Sequence, residues 1–289
     1  MSQENVLKKV KKLRELTGVG FKDCKIAIDE NNGDVEKSIE FLRKKGIAKA
    51  SKKMERVATD GLISISENKN KFSIIEVNSE TDFVAKNEEF IKFVEELSNI
   101  SLQNSGKMSD ILDAKMKNKN TAKENLVSMI SKIGEKITLR RSDCIESDQF
   151  ANFSYTHSPI KKNLGKIGVL LSLESSFKKE KLTQLGKQLS MHIAASSPLS
   201  IDKDNLDQNI LKKEKEIITE ELKNSGKDVK IIDKIALGKL NKFITDNTLL
   251  NQEWIMEPKK KVKDVIKDFA GKEKIVVKKF IRFKVGEGV

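Results

Sequence analysis

Apolar positions recur at helical spacing in the first fifty residues. Val6, Val10 and Leu13 form one stripe, which stops at Thr17-Gly18-Val19-Gly20. A second helix is predicted from about Lys22, with Cys24, Ala27 and Ile28 on one side, ending at Asn31-Asn32-Gly33. Asp34 is a good N-cap for a third, with Val35, Ile39 and Leu42 as its stripe and Gly46 as its C-cap. Lys49 to Arg56 reads as a charged connecting helix or linker. From Gly61 the period changes to two: Ile63 and Ile65 alternate with Ser64 and Ser66, Asn68-Lys69-Asn70 turns, and a second strand follows from Lys71 to Asn78. The loop Ser79 to Asp82 leads into a helix striped by Phe90, Val94 and Leu97. A helical stretch, Ala122 to Ile133, precedes a strand, Lys136 to Arg141.

The plan then recurs. Asn152 to His157 reads as a strand, Ser158 to Asn163 as a turn, Lys166 to Leu173 as an apolar strand and Glu180 to Ala195 as a helix ending near Pro198. A last strand, Lys274 to Val285, alternates Val277, Ile281, Phe283 and Val285 with basic residues. Before it lies an interruption: Leu206, Ile210, Ile217 and Leu222 rise along one helix, Asn224 to Lys227 turns, and Val229, Ile232, Ala236, Leu240 and Phe243 descend along another. The expected fold class is α+β, with two related subdomains of antiparallel sheet. The division is a three-helix domain at 1–54, core subdomains at 55–141 and at 142–205 with 250–289, and an inserted helical hairpin (a coiled coil) at 206–249.

Length and composition agree. At 289 residues, the chain has room for about two domains. No apolar run reaches the roughly 18–20 residues of a membrane helix, and MSQENVLKKVKK lacks a signal peptide's apolar region, so no membrane and a cytoplasmic location are expected. Cys24 and Cys144 lie too far apart to suggest a framework or metal cluster. The net charge of +13 raises nucleic acid as a partner, but only six of the 56 basic residues are arginine and aromatics are 5%. The excess reads as a bias toward Lys, Asn and Ile, and no direct nucleic-acid binding is expected. Gly-x-x-x-x-Gly-Lys-Ser/Thr is absent, and His157 and His192 have no His or Cys neighbours, so no enzyme activity and no cofactor are expected.

Five segments carry a family resemblance. They are Leu16 to Lys25 with Asn32-Gly33-Asp34; Glu76 to Asn87 (Glu-Val-Asn-Ser-Glu-Thr-Asp-Phe-Val-Ala-Lys-Asn); Ile133 to Ile137 running to Arg140-Arg141; Met191 to Ser196; and Phe280 to Gly288. In this order they resemble the translation elongation factor Ts family, across nearly the whole chain. The resemblance implies a ubiquitin-associated-like (UBA-like) N-terminal domain, a two-part core and an inserted hairpin. It implies guanine-nucleotide exchange on elongation factor Tu, by disturbing that GTPase's magnesium and phosphate sites. It also implies that Thr81, Asp82, Phe83 and Val84 form the loop that dislodges magnesium, with the Phe83 ring inserted between helices of the GTPase.

By periodicity alone, Phe83 lies seven residues before Phe90 and would extend that helix's stripe. Asp82 is either a helix cap or a partner contact, and Val84 either core or contact. His157 matches a family histidine that contacts the GTPase on the phosphate-loop side, and is either that contact or a satisfied structural group. Phe21, Lys22 and Lys25 match the part of the small domain that docks on the GTPase, although Phe21 and Lys22 stand where paired methionines are common. His192 is expected in the core. Some relatives continue past the position of Val289 into a further helix, and its contact is expected to be missing. The alternative reading is a basic ribosome- or RNA-associated adaptor, which steep salt dependence would reveal.

Overall fold

The computed structural model describes residues 3–223 and 229–289. Three helices open the chain: α1 (Gln3–Thr17), α2 (Phe21–Glu30) and α3 (Val35–Lys53). Val10, Leu13, Cys24, Ala27, Ile28 and Leu42 close a small core between them. Asp34 caps α3 as expected, accepting from the Lys37 N–H at 3.0 Å. Two expectations fail here. Ser38, not Ile39, takes the inward position, donating to the Ala27 carbonyl at 2.9 Å, and Ile39 is exposed. Gly46 does not end α3, which continues through it to Lys53 and takes in the first five residues of the segment expected as a connecting helix or linker.

Two antiparallel sheets make the core. The first contains β1 (Asp60–Asn68), β2 (Lys71–Ser79) and β3 (Ile137–Glu146). The second contains β4 (Ala151–His157), β6 (Ile167–Ser175) and β7 (Ile275–Lys284). The two-residue β5 (Leu164–Gly165) returns from the second half to pair with β1 of the first sheet. The strand orders are β3-β2-β1-β5 and β4-β6-β7. Each half thus places its three long strands in sequence order, with the second strand central. Each also has a register shift between that central strand and the third, at Glu76/Val77 and at Ser172/Leu173. β3 runs five residues beyond Arg141 because β2 pairs with it along its whole length, so a divide at 141/142 falls inside a strand.

The sheets pack face to face. Ile63, Ile65, Phe72, Ile74 and Ile145 meet Leu170, Ile281 and Phe283. Gly168 permits the approach, since a Cβ there would lie 2.6 Å from Ile63 Cγ2 and 2.8 Å from Ile74 Cδ1. The outer face of the first sheet carries α4 (Asp82–Ala85), α5 (Glu88–Gln103), α6 (Met108–Asp113) and α7 (Ala122–Ile133). α8 (Lys179–Ser196) covers the second sheet, and α9 (Gln208–Lys223), α10 (Val229–Asn247) and α11 (Val262–Ala270) follow. Both faces of the first sheet are therefore buried, which is why Leu62 is as enclosed as Ile63.

The three-helix bundle docks through α3 onto α7. A Cβ on Gly46 would lie 2.7 Å from Ser131 Oγ, so the glycine marks where the two helices close. Arg43 pairs with Glu124, and the Lys53 ammonium donates to the Gly134 carbonyl. In the hairpin, Ile218 and Leu222 are buried, four residues apart on one face. The expected seam residue Ile217 instead lies 60% exposed. The expected turn at Asn224 to Lys227 lies outside the described residues.

Candidate functional site

β2 delivers the chain at Ser79 into a short loop and the single helical turn of α4. Asn87 then starts a separate helix: its Oδ1 accepts from the N–H groups of Glu89 at 2.9 Å and Phe90 at 3.2 Å. This break decides the position of Phe83. On one continuous helix it would share the inward stripe of Phe90; on α4 it points out of the molecule. Phe83 is 79% exposed, the highest figure among the exposed large apolar residues described, whereas Phe90 is fully buried. The neighbouring Val84 and Ala85 turn inward, at 5% and 0% exposure, and join the core with Phe90. Val84 thus anchors the turn from behind and offers little surface of its own.

Asp82 and Lys86 flank the ring. They pair at 2.6 Å across one helical turn, and the Lys86 ammonium sits 5.9 Å from the Phe83 ring centroid. The hydrogen bond from Lys86 holds the Asp82 carboxyl below its ordinary range, and the same bond raises Lys86. The charge of Lys166, in the bend between β5 and β6, also favours the ionised Asp82. Its ammonium is fixed by Asp60 Oδ1 at 2.5 Å and the Gly61 carbonyl at 2.9 Å. Asp82 is therefore not a helix cap: it is a carboxylate at the start of α4, set in a basic neighbourhood.

Lys166 leads on to His157. The backbone N–H of Lys166 donates to the His157 carbonyl at 3.3 Å, at the end of β4. The His157 side chain is exposed, and its Nδ1 lies 3.1 Å from the Tyr155 hydroxyl. Lys166 thus bonds through its backbone to His157 and acts on Asp82 only through its charge, although the two are 75 residues apart in the chain. Phe21, Lys22 and Lys25 belong to the bundle instead. All three are exposed on the first turns of α2, whose buried residues are Cys24, Ala27 and Ile28. His192 is in the core as expected: fully buried, stacked on Trp254 at 5.2 Å and hydrogen-bonded to Gln252 Oε1 at 3.0 Å.

Sequence reasoning assigned no role to Glu80, Glu135 or Lys136, which brace the Phe83 turn, or to Lys166 beside it. The loop and the turn around Glu135 are 54 residues apart, so periodicity gives no sign that they touch. The one available signal was that both lie inside segments carrying the family resemblance. Among the described residues, no group of His, Cys, Asp and Glu could hold a metal ion. No helix there is long and apolar enough to cross a membrane.

What this surface can do is bind. An exposed aromatic ring on a fixed turn, with an ionised carboxylate and an ammonium beside it, is an anchor seeking a pocket. Comparison with known proteins places the whole chain in a family. Residues 80–287 match the family model described as elongation factor TS. The chain is 43% identical over 285 residues to elongation factor Ts of Rickettsia felis, with 97% of this chain and 91% of that protein covered. Elongation factor Ts of Maricaulis maris is 38% identical over 286 residues, again with 97% and 91% covered. That of Methylorubrum populi is 41% identical over 283 residues, covering 97% and 92%.

Proposed function

The chain belongs to the elongation factor Ts family, and from that premise we propose that it is the guanine-nucleotide exchange factor for elongation factor Tu. Membership makes it a translation elongation factor. The finer reading is that it engages the GDP-bound GTPase through Thr81, Asp82 and Phe83 and promotes GDP release by disturbing the magnesium and phosphate sites. His157 and the face of α2 bearing Phe21, Lys22 and Lys25 are further contacts in this reading. The observation that carries it is Phe83, a large apolar ring 79% exposed on a turn whose next two residues, Val84 and Ala85, are buried.

The physical logic needs no catalytic side chain. A partner that binds the nucleotide-free GTPase more tightly than the GDP-bound form must weaken GDP binding by the same factor. Accelerating release about a thousand-fold requires roughly 4 kcal/mol of differential interaction. One or two well-buried anchors supply that amount. The protein therefore acts by binding, without a cofactor, and the chemistry of GTP hydrolysis stays with its partner.

The test is release of a fluorescent GDP analogue from purified elongation factor Tu, with and without this protein. Acceleration at substoichiometric amounts of the protein supports the reading. Release that stays at the intrinsic rate removes it.

A further inference from the structure

Thr81 occupies the N-cap position of α4, where a threonine hydroxyl ordinarily accepts from a backbone N–H two or three residues on. Here it makes no such bond. Its hydroxyl donates instead to Glu135 Oε1 at 2.7 Å, and its backbone N–H donates to Glu135 Oε2 at 3.0 Å. The next pair runs the opposite way: the backbone N–H of Lys136 donates to Glu80 Oε1 at 2.6 Å. Two consecutive loop residues are thus crossed with two consecutive residues of the turn joining α7 to β3. Gly134, at φ 89°, ends α7 and shapes that turn. The Lys136 ammonium continues the brace to the carbonyls of Met54 at 2.8 Å and Arg56 at 2.7 Å.

This clasp holds the entry side of α4, and the buried Val84 and Ala85 hold its exit side. Between them the Phe83 ring is mostly exposed, so packing around the ring does not set its direction. The backbone must set it. A ring on a loose loop has to be ordered when it binds, and that cost is subtracted from affinity. Thr81 gives up its own helix cap for the link to Glu135, a local loss that makes sense only if the loop's placement matters more than the stability of one helical turn.

We propose that Glu135 is the positioning residue for the Phe83 anchor: its carboxylate fixes Thr81 and so presents the ring to the GTPase. The proposal rests on the exchange reading above. Glu135 need not touch the partner; it acts through Thr81.

Two measurements on the full-length protein test it. In the free protein, deuterium uptake across residues 80–87 is compared between the parent and Glu135→Ala. Uptake should rise several-fold in the variant, while the melting temperature stays within a few degrees. Unchanged uptake would show that the clasp does not order the loop. In the second measurement, GDP release from elongation factor Tu is followed with the parent, Glu135→Ala, Phe83→Ala and the double variant. Losing two charge-assisted hydrogen bonds should lower exchange efficiency about ten-fold in Glu135→Ala. The double variant should match Phe83→Ala alone, because a misplaced loop without its ring has nothing left to lose.

A Glu135→Ala protein that exchanges at the parental rate overturns the proposal. So does a double variant reduced by the full product of the two single effects, since Glu135 would then act elsewhere. If Phe83→Ala itself is as active as the parent, the ring is not the anchor and this role falls with it, whereas the exchange reading fails only if the parent leaves release at the intrinsic rate. The deuterium uptake identifies that case, since the loop would still loosen.

Discussion

Phe83 lies beside two inward-facing aliphatic residues, yet its ring is left in solvent. Truncating an exposed side chain ordinarily changes stability by no more than about 0.5 kcal/mol. Truncating a central aromatic anchor costs roughly 2–4 kcal/mol of binding. These magnitudes separate the two roles cleanly. Phe83→Ala should melt as the parent does and lose most of its GDP-release activity; a variant that keeps parental exchange would leave the ring without that function. Its exposure was not legible from periodicity, because the seven-residue spacing to Phe90 is what a continuous helix would give. The signal that breaks the tie is Asn87 followed by Glu88 and Glu89. Asn is a strong N-cap and acidic residues favour the first turn, so a new helix begins there and Phe83 falls outside it. Glu135 was legible as part of a matched segment, but its partner was not, since only the folded sheet brings residue 135 to residue 81.

Long periodic elements were readable, and some of their ends were not. Ala122–Ile133 matches its predicted bounds, and β2 differs by one residue. Gly46 misled because a helix-ending glycine and a helix-packing glycine look alike in sequence; contact with Ser131 decides between them. The hairpin shows the same division. Its arms are held together internally by Ile218 and Leu222 and by the Glu221–Lys239 ion pair at 2.8 Å. Its ends, though, are part of the core. Leu206 and Leu249 are 3% and 0% exposed, and the Leu249 N–H donates to the Ser200 carbonyl at 2.9 Å. Gln252 also ties the base of α10, donating to the Asp246 carbonyl at 2.7 Å. Excising residues 206–249 should therefore destabilise the core, because deleting one buried leucine already costs about 2–5 kcal/mol. Replacing only residues 210–243 by a short Gly-Ser linker should leave a cooperative melt near the parental temperature. A molten or insoluble short deletion would mean that the arms pack against the sheets.

At the scale of the whole molecule, the +13 charge and the interlocking of the two sheets act on different things. Exposed charges separated by more than a Debye length, about 8 Å at physiological salt, affect mainly the rate of encounter. Neutralising Lys212, Lys213, Lys215, Lys234 and Lys242, all exposed on the hairpin, should slow association modestly and leave the maximal exchange rate near the parental value. A plateau that falls ten-fold would tie the basic surface to the exchange step.

The interlock centres on Glu76, fully buried at the register shift in β2. Its carboxylate accepts from Arg141 Nε at 2.5 Å, the Gly286 N–H at 2.8 Å, Asn78 Nδ2 at 3.0 Å and Arg140 at 3.1 Å. The same arginines reach the carbonyls of Lys284 at 3.1 Å and Glu287 at 2.6 Å, so one carboxylate joins the first sheet to the end of β7. Gly286, at φ +72°, is required there, since a Cβ would lie 2.1 Å from the Thr59 carbonyl oxygen. Burial by itself pushes the Glu76 carboxyl up, but the bonds from Gly286, Asn78 and Arg141 together outweigh it, leaving it below the ordinary range. A carboxyl depressed in the folded state adds stability above its unfolded value, about 4.3, and loses it as pH falls through the folded value. Breaking a buried pair costs about 3–5 kcal/mol, so Glu76→Gln should melt well below the parent at pH 7. As pH is lowered below about 4.5, the parent should lose this contribution while the variant has none to lose, and the two melting temperatures should converge. Thermal melts of both proteins from pH 7 to pH 3 measure it, and a gap that stays constant across that range would show that Glu76 ionisation does not hold the sheets together.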